Sequence, residues 1–413
     1  MDETYELFLK VVRCALRNRP LDPSIQASAD QMSQVLGLAY SHHVLPMVFE
    51  VLHDHPSFQQ VDPTVAESIR GSTIQTVMTQ AVKTVDLLKL LQHMRKKGLR
   101  LLVVKGIICR ELYPKPDHRY SGDEDVLCGE ENFPRTHEAM LSFGMIPPES
   151  KLESYEVPYG KTDSPLYIEL HKTLFAQNSD VFNDYNRFFE DAFSRAIEVK
   201  IRGMKISTLC HTDHMLYLII HAYKHFLYSG FGIRQLCDIA MFANAYGSQV
   251  DWDYVYDCCR SIRADKFAVA LFRIGAEYLV FSPETACQTP VWTKETPDIW
   301  PLLEDILCGG IYGSADRNRV HSSNMTLNAV AANRKGKRSG KNILRTVFPP
   351  VSAIEGRFPY LQRHKYLLPV AWSCRILGFV KESLFRRETA PSDVLRTGSK
   401  RIELLRQYDI IDH

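Results

Sequence analysis

The stretch from Arg100 to Val126 limits the possible folds more than any other part of the chain. It opens with an apolar run of strand length, Leu101–Val104, which Lys105-Gly106 interrupts. Ile107–Leu112 then has helical spacing, and after a loop rich in proline and charge the short run Asp123–Cys128 reads as a second strand. Short apolar runs with β-branched residues favour strands, and a change to helical spacing favours a helix. The stretch therefore predicts a mixed segment of strands and helix, with acids at the start of its second strand.

The most informative chemical feature of this stretch is a pair of carboxylates at the start of the second strand. Asp123 and Asp125 are two positions apart, and residues at that spacing on a strand point to the same face. Side by side they repel each other unless a cation lies between them, and Mg²⁺ takes carboxylate and phosphate oxygens. A pair of such ions could align an attacking hydroxyl with the α-phosphate of a nucleotide. The simpler interpretation is that both acids are solvated at the end of a strand.

A third acid lies on a later predicted strand. Leu166–His171 alternates in polarity and places Tyr167 and Glu169 on one face, opposite Ile168 and Leu170. A strand that ends in glycine, an Asp-x-Asp strand and a later strand with one acid form a specific combination.

This combination resembles a large bacterial nucleotidyltransferase family of the DNA polymerase β superfamily, in which Lys-Gly replaces the usual Gly-Ser. The residues that carry the resemblance are Lys105-Gly106, Tyr113-Pro114, Arg119, Asp123-Glu124-Asp125 and Glu169-Leu170-His171. The resemblance implies an α+β fold: a small mixed-sheet core like that of polymerase β, flanked by N- and C-terminal helical domains. The implied domains are 1–95, helical; 96–205, the core; 206–300, helical and closing over the site; and 301–413, a mostly helical extension with a basic linker at 331–342.

The resemblance also implies a reaction and its residues. The reaction would move a nucleoside monophosphate from an NTP such as ATP to an unidentified acceptor hydroxyl or phosphate, and would release pyrophosphate. Asp123, Asp125 and Glu169 would be catalytic and would hold Mg²⁺ or Mn²⁺. The residues implied to bind the nucleotide are Lys105, Gly106, Arg119, Ser121, Lys224, His225 and Arg234.

The helices predicted after residue 206 carry several of these cations. By the same resemblance, Lys224, His225 and Arg234 would bind phosphates and Asp238 would orient Arg234. The alternative is an internal network of Arg, Asp and His that ties two helices together. His221 and His225 have the spacing of metal ligands, but the glutamate of the His-Glu-x-x-His motif is missing, which argues against a zinc site.

Glu124 departs from the family pattern, because an aliphatic residue normally stands between the two aspartates. Either Glu124 reaches water at the end of the sheet, or the strand is shifted by one residue, so that Glu124 faces the site and Asp123 and Asp125 lie behind it. The departure also keeps a second function open. A catalytically inactive nucleotidyltransferase fold could act as a module that binds a nucleotide or a partner.

The N-terminal region contains a long predicted helix and a pair of histidines. The helix runs from about Pro63 to Lys97, and helical spacing is kept by its apolar residues Ile74, Met78, Val82, Val85, Leu88 and Leu91. His42-His43 could be catalytic, although a structural role at a helix end is the simpler interpretation.

Composition restricts the surroundings of the protein. The net charge is +2, so no overall field favours nucleic acid or membrane. The 10 cysteines form no Cys-x-x-Cys pair, which argues against a zinc ribbon or a disulfide framework and favours a reducing compartment. No uncharged apolar run approaches the ~20 residues that cross a bilayer. We therefore expect a cytoplasmic protein without stable membrane insertion.

The expected partners are an NTP, an unknown acceptor (protein, small molecule or RNA) and a partner protein from the same operon. The basic run Arg334–Lys341 could bind RNA or a nucleotide-carrying partner, or it could be a solvated linker. Gly309–Gly313 is more typical of a turn than of a phosphate cradle. Tyr366–Arg387 is more typical of a buried helix than of a helix on a membrane surface.

Overall fold

The computed structural model describes residues 2–287, 289–294, 296–310, 317–334, 351–354, 358–362, 364–375 and 391–412. They separate into two compact units. The first comprises the residues up to Tyr223 together with Gly232–Leu303, and the second comprises Lys224–Phe231 and the residues from Glu304 onward. Helices flank small sheets, which confirms the predicted α+β class.

Three helices open the first unit: α1 (Glu3–Leu16), α2 (Ala29–Ser41) and α3 (Leu45–Leu52). Asp2 caps α1 by accepting a hydrogen bond from the backbone N–H of Thr4, and Ser28 starts α2 with a capping box. The apolar faces of these helices are buried. This part of the chain contains helices, as the sequence predicts.

A long helix, α4 (Pro63–Lys96), carries its apolar residues outward over much of its length. The residues that it buries there are polar: Thr73, Gln80, Lys83 and Thr84. The apolar residues on the opposite side keep between 46% and 64% of their surface exposed: Ile74, Met78, Val82 and Val85. Helical spacing of apolar residues normally marks a buried face, and α4 meets that expectation only toward its C-terminal end, where Leu87, Leu90 and Met94 join the core.

A four-stranded sheet in the order β1-β2-β4-β3 forms the centre of the first unit. Its strands are β1 (Leu102–Val104), β2 (Glu124–Leu127), β3 (Glu156–Lys161) and β4 (Ser164–His171). β2 is antiparallel to β1 and parallel to β4, and β4 is antiparallel to β3. One face of the sheet packs into an apolar cluster that includes Val103, Val126, Ile168 and Leu170. Because side chains alternate along a strand, the neighbouring residues Asp125 and Glu169 lie on the opposite face.

Short elements connect these strands and complete the core. They are α5 (Gly106–Arg110), α6 (Phe133–Ser142), α7 (Ala192–Arg195), β5 (Ile197–Ile201) and β6 (Met204–Thr208). β5 and β6 form a hairpin whose two turn residues, Arg202 and Gly203, both have positive φ, as a tight hairpin turn requires. The Thr208 hydroxyl donates to the Val103 carbonyl at 2.6 Å and so fixes the hairpin beside β1.

Further helices follow the hairpin in the part of the chain that the structure describes. They are α8 (His211–Tyr228), α9 (Ile233–Tyr246), α10 (Trp252–Ser261), α11 (Asp265–Tyr278), α12 (Pro283–Ala286), α13 (Val291–Lys294), α14 (Trp300–Gly309), α15 (Arg317–Arg334), α16 (Val351–Ile354) and α17 (Pro391–Gln407). Within the second unit α15 packs along α17, and Arg319 pairs with Asp305 at 2.8 Å.

Three segments singled out in the sequence fall partly outside the described residues. They are residues 335–342 of the basic linker, residues 311–313 of the glycine-rich segment, and residues 376–387 of the apolar, aromatic segment. Across the helices that the structure does describe, none combines the length and the hydrophobicity that crossing a bilayer demands.

Candidate functional site

The acids predicted from the sequence meet on one face of the central sheet. Asp125 on β2 is paired in register with Glu169 on the parallel strand β4, and His171 follows two positions later on the same face. Ligand atoms of Asp125, Glu169 and His171 lie within 4.8 Å of one another. Asp123 immediately precedes β2 and is half-buried. The structure therefore brings together the two predicted strands with Asp125 and Glu169 side by side, while Asp123 lies just before β2.

The pKa values of Glu169 and Asp125 are shifted in opposite directions. Burial, and then the charges of Asp125 and Asp123, raise the pKa of Glu169 to about 7. Burial also opposes the ionisation of Asp125, but Lys105 and His171 outweigh it and hold the pKa of Asp125 well below its usual range. Neighbouring acids with pKa values pushed apart are typical of sites that use one as a fixed charge and another as a proton acceptor.

Lys105 provides the positive charge nearest to the acids. Its Nζ lies 3.1 Å from Asp125 Oδ2 and 3.4 Å from His221 Nε2, and the residue is 4% exposed. It has a φ of 62° at the end of β1, a conformation uncommon outside glycine. Its backbone N–H donates to His214 Nε2 at 3.0 Å. The strained backbone thus directs the ammonium of Lys105 toward the acidic face of the sheet.

Glu124 behaves in neither of the two ways expected from the sequence. It does not reach water, since it is 0% exposed, and the strand is not shifted, because Asp125 faces Glu169 in register. Instead Glu124 lies on the apolar face and forms an ion pair with Arg110, which is also fully buried. Its Oε2 accepts a hydrogen bond from the Ile107 N–H at 2.8 Å, at the start of α5. Glu124 is therefore a structural acid that anchors the turn after β1.

This anchor explains the glycine of the Lys-Gly motif. Gly106 has a φ of 39°, and a Cβ added to it would lie 2.0 Å from Glu124 Oε2. No side chain fits in that space, so glycine is required wherever Glu124 caps the turn. The structure gives Gly106 this packing role; its role in nucleotide binding stays a prediction.

A second buried network surrounds Asp238 on α9. Arg119 donates to both carboxylate oxygens of Asp238, at 3.0 Å and 2.5 Å, and also to the Ser121 hydroxyl. The Tyr113 hydroxyl donates to Asp238 at 2.8 Å, whereas Arg234 Nη1 lies 4.0 Å away. A buried Arg–Asp network is therefore present. Asp238 pairs mainly with Arg119, from the loop before β2, and not with Arg234 on its own helix.

The sequence did not single out two polar residues of α4 that hold the loop before Asp123. Lys83 Nζ donates to the carbonyls of Ser121 and Gly122 at 2.8 Å and 2.9 Å. The Gln80 side chain donates to the Ser121 carbonyl and accepts from the Ser121 N–H, both at 3.1 Å. Both residues share a helical face with Leu87 and Leu90, a spacing that could have marked them as buried.

We expect Lys83→Met to destabilise the protein and to loosen this loop. Burial lowers the pKa of Lys83 to about 8, but its ammonium still donates to the Gly122 carbonyl, and methionine would remove that bond together with one of the two donors to the Ser121 carbonyl. An unsatisfied buried group costs about 1–3 kcal/mol. Urea unfolding of Lys83→Met against Lys96→Met, an exposed lysine on the same helix, measures the loss; equal stability of the two variants would contradict the anchoring role.

The two adjacent histidines have different surroundings. His42 is fully buried, and its Nδ1 accepts a hydrogen bond from the Ile233 N–H at 3.2 Å, which fits the structural interpretation. His43 has a φ of 56° and packs edge-on against Tyr120 at 4.7 Å between ring centroids. Burial and then Arg234 lower the pKa of His43 to about 4, although Asp123 opposes them. His43 is thus a neutral imidazole at neutral pH.

Lys224 and His225 lie near the C-terminal end of α8 and belong to the second unit. Their predicted contacts with phosphates therefore stay predictions. Arg234 lies in the first unit and is 4% exposed.

The residues at the acidic face fit a divalent cation. Asp125 and Glu169 offer hard carboxylate oxygens, which Mg²⁺ and Mn²⁺ prefer. His171 Nε2 lies 3.2 Å from Asp125 Oδ1, and such a contact orients a ligating carboxylate. Burial, and then the negative charges of Asp125 and Asp123, raise the pKa of Glu169, and a cation bound there would balance these charges.

Comparison with known proteins gives one match. The model of a family described as an uncharacterised nucleotidyltransferase matches residues 28–279, which is more than half of the chain. The matched range contains the acidic face, the Asp238 network and α4. No curated protein and no solved structure matches the chain.

Proposed function

Because the chain belongs to the uncharacterised nucleotidyltransferase family, we propose that it moves a nucleoside monophosphate from an NTP to an acceptor hydroxyl or phosphate. The observation that carries this proposal is the pairing of Asp125 with Glu169 across parallel strands, with Lys105 and His171 on Asp125. Acids and cations in this arrangement suit a reaction that depends on positioning and on stabilisation of phosphate charge.

The proposed step is an attack by an acceptor oxygen on the α-phosphorus of the NTP. A bond forms between these two atoms, the bond from the α-phosphorus to the bridging oxygen of the β-phosphate breaks, and pyrophosphate leaves. The acceptor's proton passes to Glu169, the carboxylate that pairs in register with Asp125 on the neighbouring strand.

Asp123, Asp125 and Glu169 are the residues that would hold the divalent cations. Mg²⁺ or Mn²⁺ bound there would supply Lewis acidity toward the phosphate oxygens and the acceptor hydroxyl. His171 keeps Asp125 oriented, and Lys105 balances its charge.

Several buried cations could meet the triphosphate. Arg234 Nε is buried and has no hydrogen-bond partner within the described part of the chain, so its guanidinium keeps donor capacity for phosphate. Lys105 contributes a second charge at the acidic face. Arg119 is held by Asp238 and Ser121, so we assign it to positioning the loop before Asp123.

Nucleotide binding at this site can be tested by thermal unfolding with each NTP in the presence of Mg²⁺. A ligand that binds only the folded state stabilises it, by about 2.7 kcal/mol at a hundred times its Kd. We expect at least one NTP to raise the melting temperature of the wild type, and the Asp123→Asn/Asp125→Asn variant to lose this rise. Asp163→Asn, on the exposed turn between β3 and β4, is the matched control and should respond as the wild type does. A rise that survives in the double variant would place the nucleotide elsewhere.

One observation favours a second candidate function. Asp125 is a proposed metal ligand, and it already forms an ion pair with Lys105. An inactive fold that binds a nucleotide or a partner needs no metal at Asp125 and is compatible with this pair. Such a module would show the stabilisation by NTP but no transfer of the nucleoside monophosphate.

A further inference from the structure

The outward apolar residues of α4 form a continuous stripe. With about 100° of rotation per residue, Ile74, Met78, Val82 and Val85 all lie within roughly 40° of the direction of Met78. Met78 is 64% exposed and Ile74 is 53% exposed. Contiguous exposed apolar patches on soluble proteins mark interaction sites. We propose that this stripe, called here the α4 stripe, is the interface of a two-fold dimer with a second copy of the chain.

The absence of charge along the α4 stripe favours a partner with the same surface. From Gly71 to Val82 the sequence contains no charged residue. A two-fold axis brings each residue near it against its own copy, so a charge at the axis would face an identical charge. The uncharged centre of the α4 stripe avoids this repulsion, whereas a phosphate-rich partner such as RNA would require cations there.

Charges at the two ends of the stripe select the orientation of the pair. Glu67 and Lys89 lie equally far from Met78 on opposite sides, each within about 20° of the stripe's centre line. Their side chains are 77% and 63% exposed. An antiparallel pair centred on Met78 brings Glu67 of each copy near Lys89 of the other. A parallel pair would instead bring Glu67 near Glu67 and Lys89 near Lys89, which is unfavourable.

The surface beside the stripe can receive side chains from a second helix. A cavity of about 410 Å³ is lined by Gly71, Ile74, Gln75, Met78, Thr79, Val82 and Pro165. A Cβ built on Gly71 meets nothing within 4 Å. Antiparallel helices pack by inserting side chains into such hollows, and contact from Glu67 to Lys89 would extend over about 33 Å.

The test measures the mass of the full-length protein in solution by sedimentation equilibrium. We expect the wild type to sediment at twice the mass of one chain. Met78→Lys places two like charges at the two-fold axis and should raise the dimer dissociation constant by at least about 100-fold. Ser72→Lys adds the same charge to an exposed position of α4 that lies off the stripe, and it should leave the dimer unchanged.

A charge exchange tests the orientation. Glu67→Lys should weaken an antiparallel dimer, because the introduced ammonium of one copy would then meet Lys89 of the other, and adding Lys89→Glu should restore it. A monomeric wild type, or a dimer that Met78→Lys leaves intact, would overturn the proposal. Neither result depends on nucleotide, so failure of the dimer is distinguishable from failure of the proposed reaction.

Discussion

Glu169→Gln is expected to remove nucleotidyl transfer while making the protein more stable. The variant loses the proposed base and one metal ligand, which supply several kcal/mol to the reaction, so we expect the rate to fall by about 10³-fold or more. In the absence of metal, glutamine also relieves the repulsion among Glu169, Asp125 and Asp123 that raises the pKa of Glu169. We expect a gain of about 1–3 kcal/mol in the free energy of unfolding at pH 8, measured by urea unfolding with a chelator present.

Glu156→Gln is the matched control for this variant. Glu156 lies on the edge strand β3, where it pairs in register with His171. Its charge raises the pKa of Glu169 less than the charges of Asp125 and Asp123 do, and it is outside the cluster of Asp125, Glu169 and His171. We expect its transfer rate to stay within a few-fold of wild type. Wild-type transfer by Glu169→Gln, or a loss of stability in it, would contradict the roles assigned to Glu169.

Glu124→Gln is expected to cause one of the largest losses of stability available in the core. It leaves the charge of Arg110 buried without its counter-ion, in a place where both side chains are at most 1% exposed. Removing one partner of a buried ion pair costs about 3–5 kcal/mol. The free energy of unfolding from urea titrations at neutral pH measures this loss.

A double variant separates the effect of the ion pair with Arg110 from the effect of the other contacts of Glu124. Apolar residues of similar volume often replace a buried pair at little cost, so Glu124→Leu/Arg110→Met should recover most of the stability lost by Glu124→Gln. Part of the loss should remain, because the Ile107 N–H also loses its acceptor. A double variant less stable than Glu124→Gln would show that Glu124 acts through contacts other than Arg110.

Local pattern predicted the two acidic strands, and chemistry predicted that they lie side by side. Alternation along short apolar runs identified β2 and β4, and the same alternation assigned Asp125 and Glu169 to one side of each strand. Which strands pair is a long-range property, but two acidic strands that serve one reaction had to be neighbours. The predicted neighbourhood of β2 and β4 therefore came from the chemistry of their acids as well as from the pattern of their residues.

Long-range partners could not be read from the same pattern. Asp238 is four residues after Arg234, a spacing that favours contact on a helix, yet Arg119 from a distant loop forms the closer pair. Glu124 was expected to reach water or to mark a shifted strand because nothing nearby in the sequence identifies Arg110 as its partner.

The periodicity of apolar residues also did not predict which face of α4 meets the core. An apolar stripe indicates that a helix has two different faces, but it does not indicate which face meets the core. In α4 the buried face is polar where Gln80 and Lys83 bind the loop at Ser121. Because the loop at Ser121 needs hydrogen-bond partners, the polar face of α4 points inward, and Met78 and its apolar neighbours point outward.

The central claim is transfer of the α-phosphate of an NTP, and radiolabel position tests it most directly. The protein is incubated with Mg²⁺, an extract of its source cells and an NTP labelled at either the α- or the γ-phosphate. We predict that α-label enters extract material, that γ-label is recovered as pyrophosphate, and that Glu169→Gln abolishes both while Glu156→Gln does not. Incorporation of γ-label, or equal α-labelling by wild type and Glu169→Gln, would contradict nucleotidyl transfer at this site.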